Sequence, residues 1–134
     1  MTNPITEARN DVMDALKSID NLRVFAYQPE ALTVPAATIR PGSPYVVPGS
    51  AGTNNLPYGQ RVITLYVRLW LNSGSNQSMS ESMDDLIDKV CDALSPIGFT
   101  TVDQPGTDSE TYGSESPYYV TDVTVQTIYG KDGL

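Results

Sequence analysis

The 134-residue sequence contains no histidine and a single cysteine, Cys91. Without histidine the commonest general base is missing, and so are the nucleophile–histidine pairs of serine and cysteine hydrolases and the usual nitrogen ligand of zinc. One cysteine cannot close an intrachain disulfide or build a Cys cluster, and a reducing compartment is the simplest setting. Cys91 lies in a helical apolar pattern and reads as a small core residue. Basic residues are also scarce. Eight stand against sixteen acids, for a net charge of −8. They are scattered at Arg9, Lys17, Arg23, Arg40, Arg61, Arg68, Lys89 and Lys131, with no stripe to neutralise phosphates. Long hydrophobic runs are absent. The longest is interrupted by Arg68 and is too short to span a bilayer, and "MTNPITEARND" lacks the basic start and apolar run of a signal peptide.

What remains is 40% hydrophobic and 18% charged, the composition of one globular domain over residues 1–134 with much loop. Asn3 and Pro4 suit an N-cap and first helical position. Ile5, Ala8, Val12, Ala15, Leu16 and Ile19 then recur at helical spacing, which predicts a helix from about Pro4 to Ser18. Short strands are expected over Leu22–Tyr27 and Ala36–Arg40. The segment Pro41–Gly59 has four prolines and four glycines in nineteen residues and reads as a long loop. Its apolar residues Tyr45, Val46, Val47, Leu56 and Tyr58 suggest that it docks against another surface and does not float as a linker. A long strand follows over Gln60–Leu71. A second helix is expected from Ser78 to Leu94, with Ser78 and Glu81 at capping-box spacing and an apolar stripe of Met79, Met83, Leu86, Ile87, Val90, Ala93 and Leu94. Phe99 starts a further strand, Asp103–Pro117 holds four acids and no base and reads as a solvated loop, and Tyr118–Tyr129 is the last strand. This order predicts an α+β fold, a mostly antiparallel sheet with two helices packed on one face and long loops.

No motif in the chain carries evident chemistry. Asp84, Asp85 and Asp88 lie on one helix without the glycine turn of a calcium loop, and read as a solvated acidic face. "PGSAGT" lacks the Lys-Ser/Thr of a phosphate loop and no helix pattern follows it. Met79 and Met83 read as core filler. A close pair of carboxylates is set by spatial distance and has no sequence signal here. We expect no catalytic residue, metal or cofactor.

The stretch "RVITLYVRLWLN", Arg61–Asn72, raises the functional question. Its odd positions Ile63, Leu65, Val67, Leu69 and Leu71 are all aliphatic and should form the core face under both helices. The even face carries Tyr66, Arg68 and Trp70. Two readings stand: a second layer made by the chain's own loops, or a subunit interface, where Tyr, Trp and Arg serve as anchors. The interface reading is preferred because no third helix is available. It assigns Arg68 an acidic partner on the next subunit.

The order of elements and the turn "VPAATIRPG" within "LRVFAYQPEALTVPAATIRPGSPY", followed by "RVITLYVRLWLN", a helix and "YYVTDVTVQTIY", resemble the tail terminator (tail completion) proteins of bacteriophages with long non-contractile tails. The resemblance implies a ring, usually hexameric, that caps the tail tube and joins it to the neck of the capsid. The tail tube protein would lie on one side and a neck or stopper protein on the other. Genome DNA would pass through the channel without sequence-specific binding, and no membrane would be involved. The protein would assemble in the host cytoplasm and reside at the tail–neck junction of the virion. The length of the 41–59 loop and the acidity of the 103–117 loop depart from that pattern. Two rivals remain: another phage connector (a head-closure stopper or a tail tube subunit), and a small ligand-binding α+β domain.

Overall fold

The computed structural model describes residues 3–27, 29–49, 60–72, 76–108, 111–112 and 117–130. The fold is α+β. Helix α1 (Pro4–Lys17) and strand β1 (Arg23–Phe25) are followed by β2 (Ala36–Pro48), β3 (Gln60–Asn72), helix α2 (Asn76–Leu94), β4 (Phe99–Val102), β5 (Gly106–Asp108) and β6 (Tyr118–Gly130). The sheet order is β1-β2-β3-β6-β4, with β5 also on β6. Only β1 and β2 run parallel.

Local chemistry sets α1. The Asn3 side chain accepts the Thr6 N–H at 2.8 Å, Pro4 opens the helix, and the Ser18 hydroxyl donates to the Ala15 carbonyl at 2.6 Å as it closes. Asn21, with φ of 64°, then reverses the chain in the left-handed region that Asn tolerates better than most residues. α2 begins at Asn76, so Ser78 lies inside the helix and the expected capping box with Glu81 is not its start. Gln77 instead donates to the Glu81 carboxylate one turn on, at 3.3 Å.

The centre of the sheet is the β3–β6 ladder, paired without a break from Gln60↔Gly130 to Asn72↔Tyr118. Parity along β3 divides its side chains as the sequence implies. Ile63, Leu65, Val67, Leu69 and Leu71 join Ala37, Ile39, Val123 and Val125 beneath Ala8, Val12, Leu16 and Ile19 of α1 and its exit turn, and Met83, Leu86, Val90 and Leu94 of α2. Each large aliphatic buried there contributes about 1.5–3 kcal/mol.

Two expected loops contain strand. β2 does not stop at Arg40 but continues through Pro41 and Pro44 to Pro48. β1 ends opposite Thr38, so among the described residues β2 beyond that point has β3 as its single neighbour, an edge that tolerates missing N–H donors. A bulge between Pro41 and Val46 takes the intervening residues out of register. There Gly42 passes so close to β3 that a Cβ would lie 2.5 Å from the Thr64 methyl. The 103–117 segment likewise contains β5. β4 and β5 together form one edge along β6, with the register slipping by one residue between them.

Candidate functional site

The helix-free face of the sheet is the surface on which the sequence places its candidate interface residues. Cross-strand partners share a face. The register therefore aligns Ala36, Thr38 and Arg40 of β2 with Trp70, Arg68 and Tyr66 of β3, and these with Val120, Asp122 and Thr124 of β6. The face divides into three zones.

At one end the chain covers itself. Trp70 is 1% exposed and forms a second small core with Ala36 and Val120, joined by Phe25, Leu32, Val34, Tyr112 and Tyr118. Its indole N–H donates to the Thr38 hydroxyl at 2.9 Å. Tyr112 and Tyr118 meet the indole edge-to-face, with centroids at 5.4 and 5.6 Å. The Tyr112 hydroxyl donates to the Pro29 carbonyl at 3.1 Å, tying the segment after β5 to the β1–β2 connection. Burial also keeps the Tyr112 hydroxyl protonated above its ordinary range.

The middle zone is polar and largely satisfied. Arg68 grips Asp122 through Nε–Oδ1 at 2.8 Å and Nη2–Oδ2 at 2.9 Å, while Nη1 reaches Asp108 Oδ2 at 2.7 Å. The hydrogen bonds to Asp122 push the guanidinium pKa up, against the opposing effect of burial. Asp108 also accepts the backbone N–H and hydroxyl of Thr111, so one arginine fixes the turn that carries Tyr112. Tyr66 accepts the Ser43 N–H at 3.2 Å, and the Arg40 guanidinium lies 5.3 Å from its ring centroid. A polar hollow of about 190 Å3 opens between Arg40, Tyr66, Asp103, Asp122 and Thr124.

The third zone is apolar and uncovered among the described residues. Val47 pairs with Val62, Val62 with Ile128, and Phe99 lies one step diagonally from Ile128. The row crosses four strands. Ile128 is 56% exposed and Phe99 70%.

These positions correct the interface assignment of Arg68 and Trp70. The indole is already buried by the chain's own loops, and the carboxylates of Arg68 are Asp122 and Asp108 of the same chain. Tyr66 is half-buried and held to the β2 bulge. Tyr45 and Val46 are half-buried and pack against the main core, where the Tyr45 hydroxyl also accepts from Arg9 at 2.8 Å. Val47 is half-buried on the open face, while Leu56 and Tyr58 lie outside the described residues. Sequence reasoning missed Thr38, Asp108, Tyr112, Tyr118 and Asp122. One of these carried a signal. Asp122 is an acid in a strand otherwise free of charge, with the parity to face the arginine of the other long strand.

On the opposite side, a cleft of about 430 Å3 lies between the α1–β1 turn and α2, with Ile19, Leu22, Met79 and Leu86 lining it beside Asp20, Asp85 and Lys89. Among the described residues, no three His, Cys, Asp or Glu side chains converge as metal ligands, and no helix is long and apolar enough to cross a membrane. No family model matches this sequence, and no curated protein sequence matches it.

Proposed function

We propose that this chain is a structural subunit of a bacteriophage tail, a tail terminator whose ring caps the tail tube and joins it to the neck of the capsid. The observation that carries this reading is the Val47–Val62–Ile128–Phe99 row. It is a contiguous apolar strip on a sheet face that no helix among the described residues covers, and such strips mark protein contacts. The order of elements adds support, since it is the order on which the resemblance to tail terminators rests. The net charge of −8 suits a channel through which DNA slides without adhering.

The test is electron microscopy and sedimentation of the purified protein, alone and with tail tubes lacking their terminator. Rings, or density capping the tubes, are expected. Ile128→Lys should reduce capping while leaving the melting temperature of the free subunit unchanged. A protein that stays monomeric and leaves the tubes bare refutes the reading and favours a small ligand-binding domain built around the helix-side cleft.

A further inference from the structure

Charge is distributed unevenly across this sheet. The strands β1, β2 and β3 carry Arg23, Arg40, Arg61 and Arg68 and no acid. On the other half, β4, β5 and β6 with the 103–105 connector carry Asp103, Asp108 and Asp122 and no base. Arg68 joins the halves by its bonds to Asp108 and Asp122, the ion pairs seen between described residues. Arg23 at one rim and Asp103 at the other are exposed and have no ion-pair partner among the described residues.

The β1 rim holds a second positive charge. Arg9 is 7% exposed, and among the described residues no carboxylate reaches it. Its guanidinium donates to the Ala26 carbonyl and the Tyr45 hydroxyl, both at 2.8 Å, and lies 4.8 Å from the ring centroid of Tyr27, which is 70% exposed. The acidic rim has its own exposed apolar residues, Phe99 and Val102. Asp20 and Glu30 lie outside β1 in sequence and leave the strand itself without an acid.

From this arrangement we infer that neighbouring copies of this chain meet head to tail, the basic β1–β2 rim of one against the acidic β4–β5 rim of the next. The inference rests on the ring reading and names its lateral contact. A two-fold contact at either rim would place like charges together, whereas head-to-tail contact pairs opposite charges at every interface, the arrangement that closes rings. Strand direction agrees. β1 and β4 run in opposite senses, so copies related by a simple step around a ring present antiparallel edges to one another.

Two charge reversals test it, Arg23→Glu and Asp103→Lys, both at exposed positions. Self-association is measured by sedimentation velocity at low salt, with and without tail tubes, and circular dichroism melts confirm that each variant folds. Each variant alone should associate at least about ten-fold more weakly than wild type, because like charges then face each other. An equimolar mixture should recover association, since one variant has two acidic rims and the other two basic rims. Raising the salt should weaken the wild-type contact. If wild type forms rings and both variants do so equally well, or the mixture fails to recover, the rim assignment is overturned and the ring stands. A wild type that remains monomeric even with tubes overturns both.

Discussion

Trp70 sets the sharpest test of how this sheet is built. Trp70→Ala removes a side chain that is 1% exposed, leaving a cavity lined by Ala36, Val120, Tyr112 and Tyr118. Truncating a buried Trp costs about 3–5 kcal/mol. The two edge-to-face ring contacts, at about 0.5–1.5 kcal/mol each, place this site toward the upper part of that range. The mutation also strips the buried Thr38 hydroxyl of its indole donor. We expect a loss of about 4 kcal/mol, a large share of the roughly 5–15 kcal/mol that holds a domain folded. For a chain of this size the melting temperature should fall by about 15 °C.

The assay is thermal melting of the dilute free subunit by circular dichroism. Trp70 is the sole tryptophan, so its fluorescence reports this site alone. Wild-type emission should be blue-shifted and should move to the red in the same transition that the dichroism records. Trp70→Phe keeps a ring against the tyrosines and loses the bond to Thr38, so it should cost only about 1–2 kcal/mol. A subunit-interface anchor would behave otherwise, sparing the free subunit and impairing assembly alone. Trp70→Ala melting within about 3 °C of wild type, or wild-type emission as red as free tryptophan, would refute the second core.

Val67→Asp should abolish folding, seen as loss of the cooperative melt, because Val67 is fully buried and an unpaired carboxylate there costs several kcal/mol. Gly98→Ala should destabilise by about 2 kcal/mol in urea titrations, since its Cβ would stand 2.2 Å from the Gln126 carbonyl oxygen of β6. Burial, then the hydrogen bond that Tyr129 donates to Asp11, push the Tyr129 hydroxyl well above its ordinary pKa of about 10. The unfolded chain therefore ionises first. The stability this residue contributes is full below about pH 10 and is lost as pH rises through its folded pKa, so wild type should lose melting temperature in that range more steeply than Tyr129→Phe. Burial, reinforced by Asp88 and Asp92, also raises the Cys91 thiol. Its alkylation at neutral pH should be several-fold slower than that of free cysteine and faster in Asp88→Asn.

Elements governed by local rules were legible in the sequence. α1 carries its own start signal and apolar stripe, and β3 declares its buried face by parity, because one residue step turns every side chain to the other side of the sheet. The continuation of β2 through Pro41 and Pro44 was not legible. A proline excludes a residue from a central strand, and whether β2 is central depends on where β1 ends, which is a tertiary fact. The 103–117 segment misled for a related reason. Its acids suggest solvation, yet the Asp108 carboxylate bonds to Arg68, forty residues away in sequence, and so places Tyr112 over Trp70.

For the face of Tyr66, Arg68 and Trp70 the interface reading was preferred, because two helices cover only one side of a sheet. The other reading, a second layer made by the chain's own loops, is the one that holds around Trp70. Leu32 and Val34 of the β1–β2 connection, with Tyr112 and Tyr118, act as the missing layer at the Trp70 end, and the tyrosine-to-backbone bond from Tyr112 to Pro29 joins them. Among the described residues the cover does not extend along the strands. Six residues beyond Asp122 on β6, Ile128 is 56% exposed, although it lies on the same face as the buried Val120. The steric requirement for a partner therefore moves from Tyr66, Arg68 and Trp70 to Val62, Ile128 and Phe99. At the first set, mutation should register in the stability of the free chain. At the second, under the ring reading, it should register in assembly, because there the folded chain itself leaves apolar surface in water.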